Sequence, residues 1–194
     1  MPIHLQSPSR AVTPEAALGA AYRVAAGVGF ALLVALGARI SMPIPFSPVP
    51  LTLQVPFVLM AGALLGARGG ATSMATYLAA GALGLPAFAL GAGPAYLFGP
   101  TGGYLLAFIP AAALVGWLVP RLRGGFAGLV VAMAAGLAVV HLLGAAQLAA
   151  YVGGWRATWL QGISPFLPGD VIKVIGAAAS VSLWRSRRRP AGPA

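Results

Sequence analysis

Pro165-Phe-Leu-Pro-Gly-Asp-Val-Ile-Lys173 opens the last long, mostly apolar run of a 194-residue chain. Asp170 is one of only two acidic residues in the protein, and Lys173 is its single lysine. A helix beginning near Gly169 projects both side chains from one face of its first turn, because residues three apart are neighbours on a helix surface. Charged groups within an apolar helix are expensive, so they face a partner or a polar cavity. The pair is either a self-neutralising staple that ties a helix end to a bundle, or a ligand site with one acceptor beside one donor. The residues alone leave both readings open, since a neighbouring opposite charge removes much of the cost of burial.

Working outward, composition defines the solvent. The chain is 59% hydrophobic and 7% charged, against roughly 25% charged in soluble domains. So few charges cannot cover a water-exposed surface, and an integral membrane protein is expected. The net charge of +10 does not indicate nucleic acid, because the arginines are mostly isolated between apolar runs and form no continuous basic face. They read as topology signals and headgroup contacts. The absence of cysteine removes disulfides, thiolate catalysis and cysteine-bound metal. No cleavable signal is expected, since the first apolar run continues too far to be a signal core.

Six helices are expected, at about 16–38, 51–65, 71–83, from Gly102-Gly103 to Val119, 126–151 and 169–184. Residues 1–15 then form a short cytoplasmic tail, 16–184 the membrane domain and 185–194 a basic cytoplasmic tail. In the first helix Gly27, Ala31 and Ala35 recur at four-residue spacing, which lets a second helix approach closely. That stripe serves either internal packing or a partner subunit. Between the first two helices, four prolines (43, 45, 48 and 50) forbid regular helix. Non-helical backbone at membrane level must be buried in protein or line a cavity, so residues 39–50 are expected to be an ordered loop over the bundle, a candidate lid. Gln54 is expected to be a cap or a cavity donor. The uncharged stretch 84–103 is rich in glycine and carries Phe88, Tyr96 and Phe98; its rings either sandwich a flat apolar ligand or mark the membrane interface. His141 lies inside the fifth apolar run and reads as a packed, hydrogen-bonded residue. No metal site is expected, for want of a second histidine or carboxylate at ligand spacing.

With six helices both termini share one side. Arg10, Arg23, Arg68, Arg121, Arg123 and the arginines at 185 and 187–189 fall on that side, leaving Arg39 and Arg156 opposite. The positive-inside rule makes the arginine-rich side cytoplasmic. The proline-rich loop, the glycine-aromatic loop and the 155–167 loop then converge on one extracytoplasmic mouth above Asp170 and Lys173. No enzyme is expected: paired acids are lacking, and the phosphate-cradling GxxxxGK[ST] loop is absent. What remains is an apolar, aromatic cavity with a few polar groups.

Five ordered strings resemble the BioY family, the biotin-binding S components of energy-coupling factor transporters: Gly37-Ala-Arg-Ile-Ser41, Pro45-Phe-Ser-Pro-Val-Pro-Leu-Thr-Leu-Gln54, Gly84-Leu-Pro-Ala-Phe88, Gly99-Pro-Thr-Gly-Gly-Tyr104 and Pro165 to Lys173. The resemblance spans about residues 30–180. It implies a six-helix bundle in the bacterial inner membrane that captures biotin from outside without a cofactor, with energy supplied by a transmembrane coupling protein and a pair of ATPases. It also implies that Ala31 and Ala35 dock the coupling protein, and it leaves a solitary or self-associating form open. Biotin's ureido ring has two N–H donors and one carbonyl acceptor, which suit Asp170 and Lys173. Phe46, Phe88 and Tyr96 are expected to contact the apolar thiophane ring and valerate chain, and Gln54 and Tyr104 belong to the same candidate site. Arg39 is the expected partner of the carboxylate, with Arg156 as the alternative. Leu90 departs from the family pattern, where a glycine or small polar residue is usual.

Overall fold

The structure, a computed structural model, describes residues 14–123 and 125–188. Most of the expected N-terminal tail, with Arg10, and the end of the basic tail, with Arg189, lie outside the described residues. Helix α1 runs Pro14–Arg39, followed by strands β1 (Ser41–Ile44) and β2 (Ser47–Thr52). Helix α2 covers Gln54–Ala82, a 3₁₀ turn Pro94–Phe98, α3 Gly102–Arg121 and α4 Phe126–Val152. A short helix α5 (Trp155–Thr158) and a π turn (Trp159–Ile163) lead into α6 (Leu167–Arg187). Five of these helices are long and apolar enough to cross a membrane.

The count of six helices survives through α2, which is interrupted at Gly66 (φ 74°, ψ 178°). That backbone geometry is open essentially to glycine alone. The chain doubles back there: a Cβ on Gly70 would stand 2.9 Å from the Cα of Gly62, and Gln54 bonds Tyr77 across the pair. The expected five-residue turn at 66–70 is therefore a single residue, and Arg68 and Gly70 are already helical. Glycine faces glycine where the two arms touch, so their backbones approach as no larger residues would allow.

The proline-rich segment is an antiparallel hairpin. Its paired residues are Ser41 with Thr52, Met42 with Leu51 and Ile44 with Ser47. None is proline, as expected for residues that cannot donate to a ladder. Pro45 falls in the turn, while Pro43, Pro48 and Pro50 fall where the register shifts. The irregularity turns Val49 inward, where it is buried. The expected ordered loop is thus regular β structure, made possible by keeping its prolines out of the ladder.

The two ends of the bundle differ. Arg23 and Arg68 border one groove, and Arg123 and Arg185 border another beside Gly66; Arg185 also donates to the Ala63 carbonyl at 2.8 Å. The hairpin, the 3₁₀ turn and the 155–166 segment cap the opposite end. Apolar side chains such as Leu32, Leu36, Leu142, Ile172 and Leu183 point outward, as a lipid-facing surface requires.

The small-residue stripe of α1 turns partly inward. Ala31 is buried at 6% exposure, and the Gly27 carbonyl accepts from Ser73 Oγ at 2.6 Å. Gly27 and Ala35 are half-buried. Ala31 and Ala35 line a groove between α1 and the second arm of α2, with Thr76 and Tyr77 on its other side. The outward residues of α1 include Leu18, Tyr22, Val24, Leu32 and Leu36.

Candidate functional site

Asp170 occupies the first turn of α6, where the helix dipole favours an anion. It is 3% exposed. One carboxylate oxygen accepts from Lys173 Nζ at 3.0 Å, and the other stands 2.7 Å from His141 Nε2 on α4. The neighbouring Val171 and Ile172 are exposed, so a single helical turn presents charge inward and hydrocarbon outward. A buried carboxylate without partners would be prohibitive; two donors from two helices make this one tenable. The ring of His141 packs edge-on to Tyr104 and beside Phe166. Its Nδ1 is buried and has no hydrogen-bond partner.

These three side chains share the wall of a cavity that opens toward the capped end. The centre of a water-sized sphere can range over about 60 Å³ of it. The hairpin contributes Val49, Pro50 and Thr52; α2 contributes Gln54 and Val55. Tyr96 and Thr101 enter from the 3₁₀ turn and the start of α3, and Tyr104, Leu105 and Phe108 from α3 itself. The lining exposes mostly apolar surface, with His141 and Lys173 grouped on Asp170.

Several contacts make the walls rigid. Gln54 does not cap its helix; it donates to the Tyr77 hydroxyl at 2.5 Å, and that hydroxyl donates to the Ala87 carbonyl at 3.3 Å. Tyr104 donates to the Gly162 carbonyl at 2.8 Å. Its ring lies against Gly144 so closely that a Cβ there would stand 2.3 Å from it. Gln147 holds the end of the 3₁₀ turn through the carbonyls of Leu97 (3.0 Å) and Gly99 (2.7 Å).

Of the residues expected to form the site, Asp170, Lys173, Gln54, Tyr96 and Tyr104 line the cavity. Three do not. Phe88 is fully buried behind the wall, stacked on Tyr96 at 5.2 Å between ring centroids. Phe46, at the hairpin tip, is 62% exposed and borders an outer groove with Gln161 and Ser164. Arg39 is exposed and donates to the Pro86 carbonyl. Arg156, the alternative cation, is also exposed and outside the lining. Leu90 points outward. The residue underrated from sequence is His141, which spacing places on an apolar helix without revealing what it faces. Among the described residues, no cluster of three or more His, Cys, Asp or Glu is placed to hold a metal ion.

A profile of the BioY family matches residues 10–189. The chain belongs to the BioY family. It is 42% identical over 156 residues to the biotin transporter BioY of Thermotoga maritima, covering 80% of this chain and 90% of that one. The probable biotin transporter BioY of Pyrococcus horikoshii is 42% identical over 149 residues, covering 76% and 86%. Among solved structures, the S-component for biotin from an ECF-type ABC transporter superposes with a TM-score of 0.81 at 27% identity, over 91% of this chain and 95% of that one. The bundle is thus a BioY fold, a multi-pass membrane protein whose relatives are described as transporters.

Proposed function

We propose that this chain captures biotin from the extracytoplasmic side, in the cavity beneath the hairpin. The observation that carries this reading is the buried Asp170–Lys173 pair in a mostly apolar wall. It sets an acceptor beside a donor, which is what a cyclic urea requires. Asp170 accepts from a ureido N–H and Lys173 donates to the ureido carbonyl. Leaving these groups unpaired would cost about 1–3 kcal/mol each, so analogues lacking them are rejected. Tyr96, Phe108 and Val49 offer apolar surface for the thiophane ring and valerate chain. The carboxylate then points to the mouth, where Arg39 serves it by exchanging the Pro86 carbonyl for the ligand. The names of the relatives and of the structural neighbour support biotin over another vitamin.

Energy comes, in this proposal, from a separate coupling protein and ATPases on the arginine-rich side, with the exposed face of α1 as the contact. Isothermal titration of the purified chain with biotin, thiamine and riboflavin tests the substrate. Stoichiometric binding of biotin alone is expected. Heat from another vitamin without heat from biotin would keep the fold and replace the substrate.

A further inference from the structure

We propose that one anionic phospholipid seats against the seam between α1 and the arm of α2 that follows Gly66, with its phosphate between Arg23 and Arg68 and an acyl chain laid over Val28, Ala31 and Ala35. Two grooves run along that seam. One is bordered by Arg23, Gly27, Arg68 and Thr72. The other is bordered by Ala31, Leu32, Ala35, Tyr77 and Leu85. Val28 and Thr76 belong to both, so a charged head and an apolar tail form one continuous furrow. From Arg23 to Ala35 the helix rises about 18 Å, just over half of a hydrocarbon core roughly 30 Å thick. The furrow therefore has the depth of one leaflet, with its two cations at the headgroup end.

Charge complementarity points to an anionic head. Against 12 basic residues the chain has 2 acidic ones, and Asp170 is engaged at the other end of the bundle. Neither Arg23 nor Arg68 has a hydrogen-bond or ion-pair partner among the described residues. Arg121 and Arg188, by contrast, lie over the rings of Trp117 and Trp184, at 3.9 and 4.3 Å. A guanidinium takes a phosphate through two parallel N–H donors. The Arg23 guanidinium leans back toward Gly19, 3.9 Å from where a Cβ would stand, which keeps it out of the hydrocarbon. The hydroxyls along the furrow are already used: Thr72 donates to the Arg68 carbonyl, Thr76 to the Thr72 carbonyl and Ser73 to the Gly27 carbonyl. The two arginines are thus the open donors, and the wall below them suits an acyl chain.

Native mass spectrometry of the purified full chain in detergent tests the site. The chain is titrated with phosphatidylglycerol, with phosphatidylcholine of the same acyl chains, or with inorganic phosphate. One phosphatidylglycerol should be retained at least fivefold more tightly than phosphatidylcholine, and equimolar inorganic phosphate should not displace it. Arg23→Gln combined with Arg68→Gln should erase the preference. Arg121→Gln combined with Arg123→Gln removes the same charge from the same end and should stay within twofold of wild type. Gly27→Leu keeps both arginines and fills the furrow. A Cβ on Gly27 meets nothing within 4 Å, so this variant should melt as wild type does, yet retain phosphatidylglycerol at least fivefold more weakly. It decides the matter alone if the double arginine variant does not fold. Retention within twofold of wild type in either furrow variant overturns the site. Equal loss in the Arg121 and Arg123 control reduces it to general surface charge, and displacement by phosphate reduces it to a free-anion site. A dimer that lipid leaves intact and Gly27→Leu dissociates gives the furrow to a second copy of the chain. Each of these last three results also overturns the proposal.

Discussion

The hydroxyl of Ser47 donates to the carbonyl of Gln161 at 2.6 Å, joining the hairpin to the turn before α6 across 114 residues of sequence. The same oxygen accepts from Val49 N–H at 3.0 Å, so one side chain sets both the hairpin's bulge and its closure over the cavity. Neutral hydrogen bonds of this kind contribute about 1 kcal/mol. Ser47→Ala is therefore expected to speed release of labelled biotin about fivefold while leaving the bundle's melting nearly unchanged. An unaltered off-rate would mean that the hairpin does not govern exit.

Asp170→Ala removes the carboxylate that Lys173 and His141 share. Affinity for biotin should fall more than tenfold, at least about 1.4 kcal/mol. A folded variant with wild-type affinity would take the ureido role away from this residue.

Lys173→Met separates stability from binding. It leaves Asp170 with only His141, and breaking a buried pair on one side costs about 3–5 kcal/mol. Adding Asp170→Asn removes the uncompensated charge. The double variant should melt well above the single one in the same detergent and should still fail to bind biotin. Recovery of binding along with stability would assign the pair a structural role only.

Gly144→Ala drives a methyl group into the ring of Tyr104, whose nearest atom would stand 2.3 Å from it. Overpacking of this kind costs about 1–3 kcal/mol. Gly29 has nothing within 4 Å of where its Cβ would stand, so Gly29→Ala is the neutral control. Equal melting temperatures for the two would contradict the close seating of Tyr104 on α4.

Gly66→Ala addresses the reversal of α2. An alanine at φ 74° and ψ 178° is strained by about 1–3 kcal/mol. Lower thermal stability is expected, with weaker biotin binding following from displacement of Gln54 on one arm relative to Tyr77 on the other. A melting curve that matches wild type would show that the turn can be made another way.

Much of this architecture was legible in one dimension. Asp170 and Lys173 stood out because ionisable residues are scarce in an apolar chain, and their spacing of three placed them on one face. Prolines 43, 45, 48 and 50 excluded helix for the cover, but they did not reveal a hairpin, because strand pairing depends on which backbone groups meet rather than on composition. The surroundings of His141, Phe46, Phe88 and Arg39 were not legible. Each is a single polar or aromatic residue whose neighbours in sequence say nothing about what it faces across the bundle.

Membership of a membrane bundle, the number of helices, the arginine-rich end and the charged turn of α6 follow from residue chemistry read along the chain, since hydropathy, charge and helical spacing are local properties. The tertiary structure alone decided that Arg39 turns to the Pro86 carbonyl, that Phe88 stands behind Tyr96, that Ala31 is buried and that His141 reaches Asp170. Those outcomes depend on close approach between helices distant in sequence, where glycines 62, 70 and 144 set the distances and a few buried hydrogen bonds select the partners.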